Sequence, residues 1–360
     1  MIQNLPQLAA ITLEKLTELT ESWNIPRYRA KQVLQWRNKG ILNPDEMLNI
    51  PGELKERLSN ELICEPLQLV QRQSSIDGTR KYLFKLTSGR LKGKMVESVY
   101  IPEEKRGTVC ISSQVGCVLD CPFCYTGTQG FEGNLTAGEI VAQVLAVKHD
   151  LLNEPLASEF SPSITHVVYM GMGEPLANED GVHQSLEALM NPDGLKLSKR
   201  RITLSTSGLV PQIDRLGEAT SVNLAISLHA AENQLRDELV PINRKHPLNE
   251  LRQCLNRYSL GKQRHITLEY VMLDGVNDRD EDIESLARFV NRERERVNLI
   301  SFNPYPGSGY TGSPKQHMNE FAKRLISKGI RATVRRSRGQ DIMAACGQLK
   351  AESKPHKSES

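Results

Sequence analysis

The chain has 360 residues, 39% of them hydrophobic, and 46 Lys and Arg against 43 Asp and Glu leave a net charge of +3. That length suits one large core, or a core plus a small module, and the apolar runs fall far short of the ~20 residues a spanning helix needs, so no membrane partner is expected. The seven cysteines are odd in number and clustered, which argues against a disulfide scaffold and for metal or catalytic thiols.

The first residues, MIQNLPQLAAITLEKLTEL, are polar, carry no secretory pattern and resemble an amphipathic helix. A reducing, cytoplasmic setting follows. Residues 1–63 read as helical: Tyr28 to Trp36 places apolar residues at helical spacing, after Pro26 and before Gly40. Trp23, Tyr28 and Trp36 lie there among basic residues and are expected to serve the core more than to stack on bases. Over 66–101 short apolar bursts (67–70, 79–87 and 94–101) are split by Asp77-Gly78 and Ser88-Gly89, a small sheet with hairpins. Residues 1–101 thus form an N-terminal accessory domain, and its basic residues make it a candidate for binding a polyanion.

From residue 102 the pattern becomes β/α repetition, and residues 102–349 form the core. Strands are predicted at 107–112, 164–170, 201–206, 222–228, 266–273 and 297–303, with helices at 136–150, 181–190, 249–259, 280–291 and 317–328 between them. Such alternation implies a parallel sheet with right-handed crossovers. Six units give the fold class: α/β, an incomplete (β/α)6 barrel with chemistry at the carboxyl ends of its strands. The polar tail 350–360 is expected to be disordered. Three basic runs, Arg27–Lys39, Lys199–Arg201 and Arg331–Arg338, favour a localised polyanion footprint in a chain so near neutral balance.

The chemistry is announced by Cys117, Cys121 and Cys124, spaced C-x3-C-x2-C after the first barrel strand, with Phe123 before the last cysteine. Three close thiolates can each bind one iron of a [4Fe-4S] cube, leaving the fourth iron open to chelate a small molecule. Structural zinc is the alternative, with Cys110 as a possible fourth ligand. The triad with its aromatic and the barrel repeat resembles the radical S-adenosylmethionine superfamily. That resemblance implies a [4Fe-4S] cluster whose open iron holds S-adenosylmethionine and whose electron splits it to a deoxyadenosyl radical. Gly171-Met-Gly-Glu-Pro-Leu176 follows a strand; its glycines allow close backbone approach and Glu174 offers a carboxylate to an ammonium. Cys64 and Cys254 read as buried packing.

A wider set of motifs narrows the resemblance. Cys110-Ile-Ser-Ser-Gln-Val-Gly-Cys117, the GMGEPL run, Leu204–Gly208, Ser227–Ala230, Phe302–Tyr305 and Asp341–Gln348, together with Pro26–Gln32, are similar to the dual-specificity 23S rRNA and tRNA adenine carbon-2 methyltransferases, the RlmN family. By that resemblance two S-adenosylmethionine molecules are used per turnover. One methylates Cys346; the other generates the radical that activates the S-methyl group for addition to the adenine ring. Glu97 is then the proton acceptor, and Cys110 attacks Cys346 to free the base and leave a transient disulfide. Gly173, Glu174, Ser205, Ser227, Leu228, His229 and Asn303 are the implied cofactor contacts. The implied partners are 23S rRNA, tRNA and an electron donor such as flavodoxin or ferredoxin, and a monomer is expected. The competing activities are the sister methylation at carbon 8 and a zinc-stabilised RNA-binding module without catalysis.

Overall fold

The computed structural model describes residues 5–157, 159–160, 163–261 and 263–351. Three helices open the chain: α1 (Leu13–Ser22), α2 (Tyr28–Asn38) and α3 (Gly52–Glu61). Thr12 caps α1 by accepting the Lys15 N–H, as an N-cap hydroxyl should. Trp23 is buried, and its indole donates to Glu61 at 2.8 Å, tying the end of α1 to α3. Tyr28 is exposed beside Arg29. Of the first basic run, Arg37 leaves the surface. It is buried and donates to the Ile11 carbonyl, and burial lowers its pKa to about 10. It serves the fold of the helical unit.

Strands β1 (Leu67–Ser74), β2 (Arg80–Leu86) and β3 (Met95–Pro102) form the expected antiparallel hairpins. On β2 alternate residues face inward, and Tyr82 stacks with Phe84 at 5.9 Å. This sheet does not stand apart. β3 pairs antiparallel with β4 (Gly107–Cys110), so the hydrogen-bonded ladder runs across the expected domain boundary at residue 101. After β4 come a short antiparallel ribbon, β5 (Gln114–Gly116) with β6 (Phe131–Asn134), and helix α4 (Ala137–Asn153), started by a Thr136/Glu139 capping box.

The repeat then continues through β7 (His166–Tyr169), α5 (Glu179–Met190), β8 (Ile202–Thr206), α6 (Val210–Ala219), β9 (Asn223–Ser227), α7 (Asn233–Leu239), α8 (Leu248–Arg257), β10 (Ile266–Met272), α9 (Asp280–Phe289), β11 (Glu295–Ser301), α10 (Lys315–Ser327) and β12 (Ala332–Arg335). The sheet order is β1-β2-β3-β4-β7-β8-β9-β10-β11-β12, parallel from β4 onward. β1 and β12 are its two edges, so the barrel stays open. The six predicted parallel strands are all present, and β12 adds a seventh parallel edge. Helices α6 and α7, the β5–β6 ribbon and β12 lie outside the predicted set. Helix α7, the ribbon strands and β12 are short, while α6 is as long as α8 and α9; β12 is a half-exposed Ala-Thr-Val-Arg inside a basic run, with no apolar alternation to announce it.

Past β12 the chain becomes a strap across the open top. Ser75 Oγ donates to Asp341 at 2.5 Å and Gly339 N–H donates to Asp77 at 3.1 Å, pinning its start to the β1–β2 turn. Tyr125 N–H donates to the Gly347 carbonyl at 2.7 Å and Thr126 Oγ1 to Leu349 at 2.5 Å, pinning its end to the cysteine loop. Of the tail expected to be disordered, residues 352–360 lie outside the described residues. Lys350 is held: its N–H donates to Glu97 at 3.0 Å, and its ammonium sits over the Tyr125 ring. Among the described residues no helix is long and apolar enough to cross a membrane.

Arg236 shows how the strand ends are locked. Its side chain is fully buried. It donates to the carbonyls of Leu228 at 3.1 Å, Ser207 at 2.6 Å and Ser227 at 3.3 Å, and to Asn243 Oδ1 at 2.8 Å. Arg236→Met would leave those acceptors without donors, so a destabilisation of about 3 kcal/mol or more is expected. A lowered urea midpoint checks this; an unchanged midpoint would show that the carbonyls find other donors.

Candidate active site

A cavity of about 170 Å³ opens at the carboxyl ends of the parallel strands. Cys117, Cys121 and Cys124 lie on one wall, and Gly171, Gly173, Glu174, Ser205, Ser227 and His229 lie around the rest. Each side chain has a local reason for its place. A Cβ on Gly171 would come 2.7 Å from the Ile111 backbone, and one on Gly173, at φ +97°, would come 2.5 Å from Gln114 Cβ. Only glycine lets this turn press against the chain leading to the cysteines. Gln114 Oε1 accepts the Glu174 N–H at 3.0 Å, and Ser113 N–H donates to the Met172 carbonyl at 2.9 Å. The Gly-rich turn and the cysteine loop are thus bolted to one another.

Glu174 is buried, and its carboxyl accepts N–H bonds from Leu176 at 3.1 Å and Ser207 at 2.8 Å. Burial raises its pKa, while those donors pull it back toward the charged form. The result is a fixed carboxylate on the cavity wall, suited to a bound ammonium. His229 sits in the left-handed region at φ +58°, and its Nδ1 accepts the Val271 N–H at 3.0 Å. Burial, and then the charge of Arg236, lower its pKa to about 3. The neutral ring must therefore carry its proton on Nε2, a donor at the cavity wall. The Phe123 ring meets it edge-on at 4.6 Å.

Burial pushes the Cys117 thiol up to about 12, with neighbouring Cys124 and Glu174 adding to the effect. Cys121 and Cys124 are raised as well, burial again leading. Three desolvated thiols lining one cavity become good thiolates only when a cation sits among them. The chemistry of the donor set, three cysteine thiols, therefore fits a thiolate-bound iron–sulfur cube with one iron lacking a cysteine. Cys110 does not complete a zinc set: it lines the neighbouring cavity instead.

That second cavity is walled by Cys110, Val99, Met170, Asn303, Arg335 and Cys346 among others. Cys346 and Arg335 line both cavities. Cys110 is buried, which pushes its thiol to about 12; the nearby Cys346 raises it further and Arg335 pulls it down. Cys346 is exposed, and lies on the strap.

The remaining expected residues divide. Asn303 lines the second cavity rather than the first; its Nδ2 donates to the Ser301 and Cys346 carbonyls and its Oδ1 accepts from Gln340 at 2.7 Å. Leu228 turns its side chain into the hydrophobic core, so only its backbone stands near the cavity. Glu97 on β3 meets Lys81 at 3.3 Å and the strap's Lys350 N–H. Two wall residues escape the sequence reading. Glu269, buried on β10, accepts from Asn298 at 3.0 Å, and a carboxylate inside the apolar run Ile266–Met272 is the available signal. Arg335 belongs to a basic run expected at the surface, and nothing local separates it from Arg336.

An open β/α barrel with a three-cysteine loop above its first strand defines a radical S-adenosylmethionine enzyme, and the Radical SAM superfamily model matches residues 111–290. A radical SAM methyltransferase from Sphaerobacter thermophilus superposes with a TM-score of 0.89 at 42% identity, covering 96% of this chain and 100% of that one. The Ribosomal RNA large subunit methyltransferase N-terminal domain model matches residues 6–64. The chain is 46% identical to the Dual-specificity RNA methyltransferase RlmN of Parvibaculum lavamentivorans, over 96% of this chain and 90% of that protein. With the corresponding protein of Rhodospirillum rubrum the identity is 43%, over 96% and 80%. The chain belongs to the RlmN family of radical SAM RNA methyltransferases.

Proposed function

We propose that the enzyme methylates carbon 2 of adenine in 23S rRNA and in tRNA, with Cys346 as methyl carrier, Cys110 as resolving thiol and two S-adenosylmethionine molecules per turnover. The observation that carries this is the position of Cys346, on the wall shared by the three-thiol cavity and the Cys110 cavity. Carbon 2 of adenine is electron-poor and offers no nucleophile, so an ordinary polar methyl transfer has no partner there. When bound, the cluster and its S-adenosylmethionine would supply a carbon radical able to take hydrogen from an unactivated methyl group.

The residues of the chain do the rest. Glu174, Ser205, Ser227 and the His229 Nε2–H hold the cofactor against the cysteine wall. Gly173 leaves space for it. Asn303 holds the strap at the Cys346 carbonyl. Cys346 sulfur takes up a methyl group as a thioether and later joins protein to base. Glu97, a carboxylate already paired with Lys81, takes the ring proton once the strap's Lys350 lets go. The adduct gives up one electron as it loses the ring proton. Cys110 then sheds its thiol proton and its sulfur bonds to Cys346 sulfur. The bond from Cys346 sulfur to carbon breaks with its electron pair passing to that carbon, which takes up a proton to complete the methyl group. The base leaves behind a disulfide that a reductant must return to two thiols. The electron comes from a donor of the flavodoxin or ferredoxin kind. Arg336 and Arg338 on the second cavity suit the phosphates beside a splayed base, and the N-terminal helical unit adds RNA contacts. The protein acts as a cytoplasmic monomer.

The test is to incubate protein-free 23S rRNA and tRNA with anaerobically reconstituted enzyme, digest them and weigh the nucleosides. 2-Methyladenosine in both is the expected product. 8-Methyladenosine, or no methylated adenosine, rejects the assignment.

A further inference from the structure

The function above leaves most of the cations of the second and third basic runs unused. The topology gathers them. Because the strands from β4 onward are parallel, their amino ends share one face of the barrel, opposite the cavities. Arg106 immediately precedes β4, Arg201 precedes β8, Arg331 precedes β12, and Arg296 is the second residue of β11. All four are exposed, as are Lys199 and Arg200 on the turn before β8. His166 opens β7 and His265 precedes β10.

These groups feel one another. The His166 pKa falls to about 4, through burial and then through Arg106 and Arg201, with Glu103 opposing. His265 is lowered by burial and then by Arg331 and Arg296. Arg106, lowered by burial and by Arg335 and Arg296 with Glu103 opposing, stands between this face and the second cavity, which Glu103 and Arg335 line. Arg296 is spent on Thr267 and Arg331 on His265, neither an acid. Like charges packed at one face destabilise a fold unless a polyanion answers them.

We propose that the amino-end face of the barrel, carrying Lys199, Arg200, Arg201, Arg296 and Arg331, is a second RNA contact that grips the phosphate backbone of a substrate segment remote from the target base. It rests on the RNA methyltransferase assignment and extends it, and it makes a specific demand on substrate size. A short stem-loop that fills the catalytic mouth cannot reach the opposite face, whereas a long, folded rRNA fragment can wrap to it.

The test compares the reconstituted full chain with R201E/R331E and with the milder R200Q/R201Q, in case the reversal disturbs folding. Melting curves verify the fold. Two probes are titrated across salt concentrations: a target stem-loop alone, and the same stem-loop within a long 23S rRNA fragment. For the long RNA, R201E/R331E is expected to weaken binding at least about tenfold. The slope of log affinity against log salt should fall by about 0.7–0.9 for each phosphate that is no longer neutralised. Stem-loop affinity and the rate of stem-loop methylation should stay at the wild-type level. Long-RNA affinity and slope unchanged in both variants overturn the proposal, as does an equal weakening for both RNAs, which would move these cations to the catalytic mouth. An acidic protein that binds wild type and not the variants, with RNA binding unaffected, also overturns it. Because binding is read without turnover, a missing 2-methyladenosine product sinks the functional assignment alone. Normal product with an unchanged slope sinks only this inference.

Discussion

Cys346→Ala is expected to abolish methyl transfer to RNA while leaving the three-cysteine centre intact. The sulfur of residue 346 is the one thiol shared by both cavities, and alanine offers no atom that can carry a methyl group between them. The triad does not depend on that sulfur: its loop is held by the Gly-rich turn and Gln114, and by bonds to the Gly347 and Leu349 carbonyls of the strap that alanine at position 346 leaves in place. Reconstituted C346A should therefore bind about four iron and four sulfide per chain, as a cube requires. Its product in the nucleoside assay should fall below detection, since a covalent carrier has no substitute. Cofactor cleavage uncoupled from RNA should persist. If C346A still makes 2-methyladenosine, the thioether route is wrong and a direct transfer must be sought. If it loses iron, residue 346 belongs to the metal centre instead.

Cys110→Ala should fail at the opposite end of the cycle. The thiol sits deep on β4, pushed to about 12 by burial, so it stays protonated and inert at neutral pH until something takes its proton. Arg335 is the cation that eases that ionisation from the same cavity. A buried, protonated thiol suits the proposed resolving group: it would not compete for the methyl group, and it would attack only when a base is already tethered to Cys346. Without it the tether cannot be cut. C110A should accumulate a covalent protein–RNA adduct approaching one per chain, visible as a shifted band on a denaturing gel and removed by ribonuclease. Turnover should stop there. An adduct-free C110A with normal product would show that Cys110 is only core packing, the fate of Cys254 on α8, where the thiol meets Asp214.

Sequence legibility follows the physics of each element. Strands β7, β9 and β10 are buried almost throughout and read as continuous apolar runs, so their ends can be placed to within about two residues. The strand β12 cannot be placed in this way, because half-exposed edge residues carry no pattern. The expected small sheet of the accessory unit is present strand by strand. What its alternation cannot reveal is the partner of its last strand, and β3 goes on to pair with β4. The basic runs are visible as charge and opaque as position: Arg37 goes to the helical core, Arg335 to the catalytic wall and Arg201 to the far face of the barrel.

The amino-acid sequence alone supplies the candidate reacting groups. Thiol spacing, the glycines that admit no side chain and the order of motifs are local properties, written in adjacent residues. Only the tertiary structure decided which groups share a space. Cys110 and Cys346 are 236 positions apart, yet they line one cavity because β4 and the strap after β12 stand at opposite sides of an open barrel mouth. Leu228 turned inward and Glu269 turned to the cavity for the same reason: side-chain direction is set by the pleat and twist of a closing sheet. That geometry belongs to the assembled strands, and no single segment contains it.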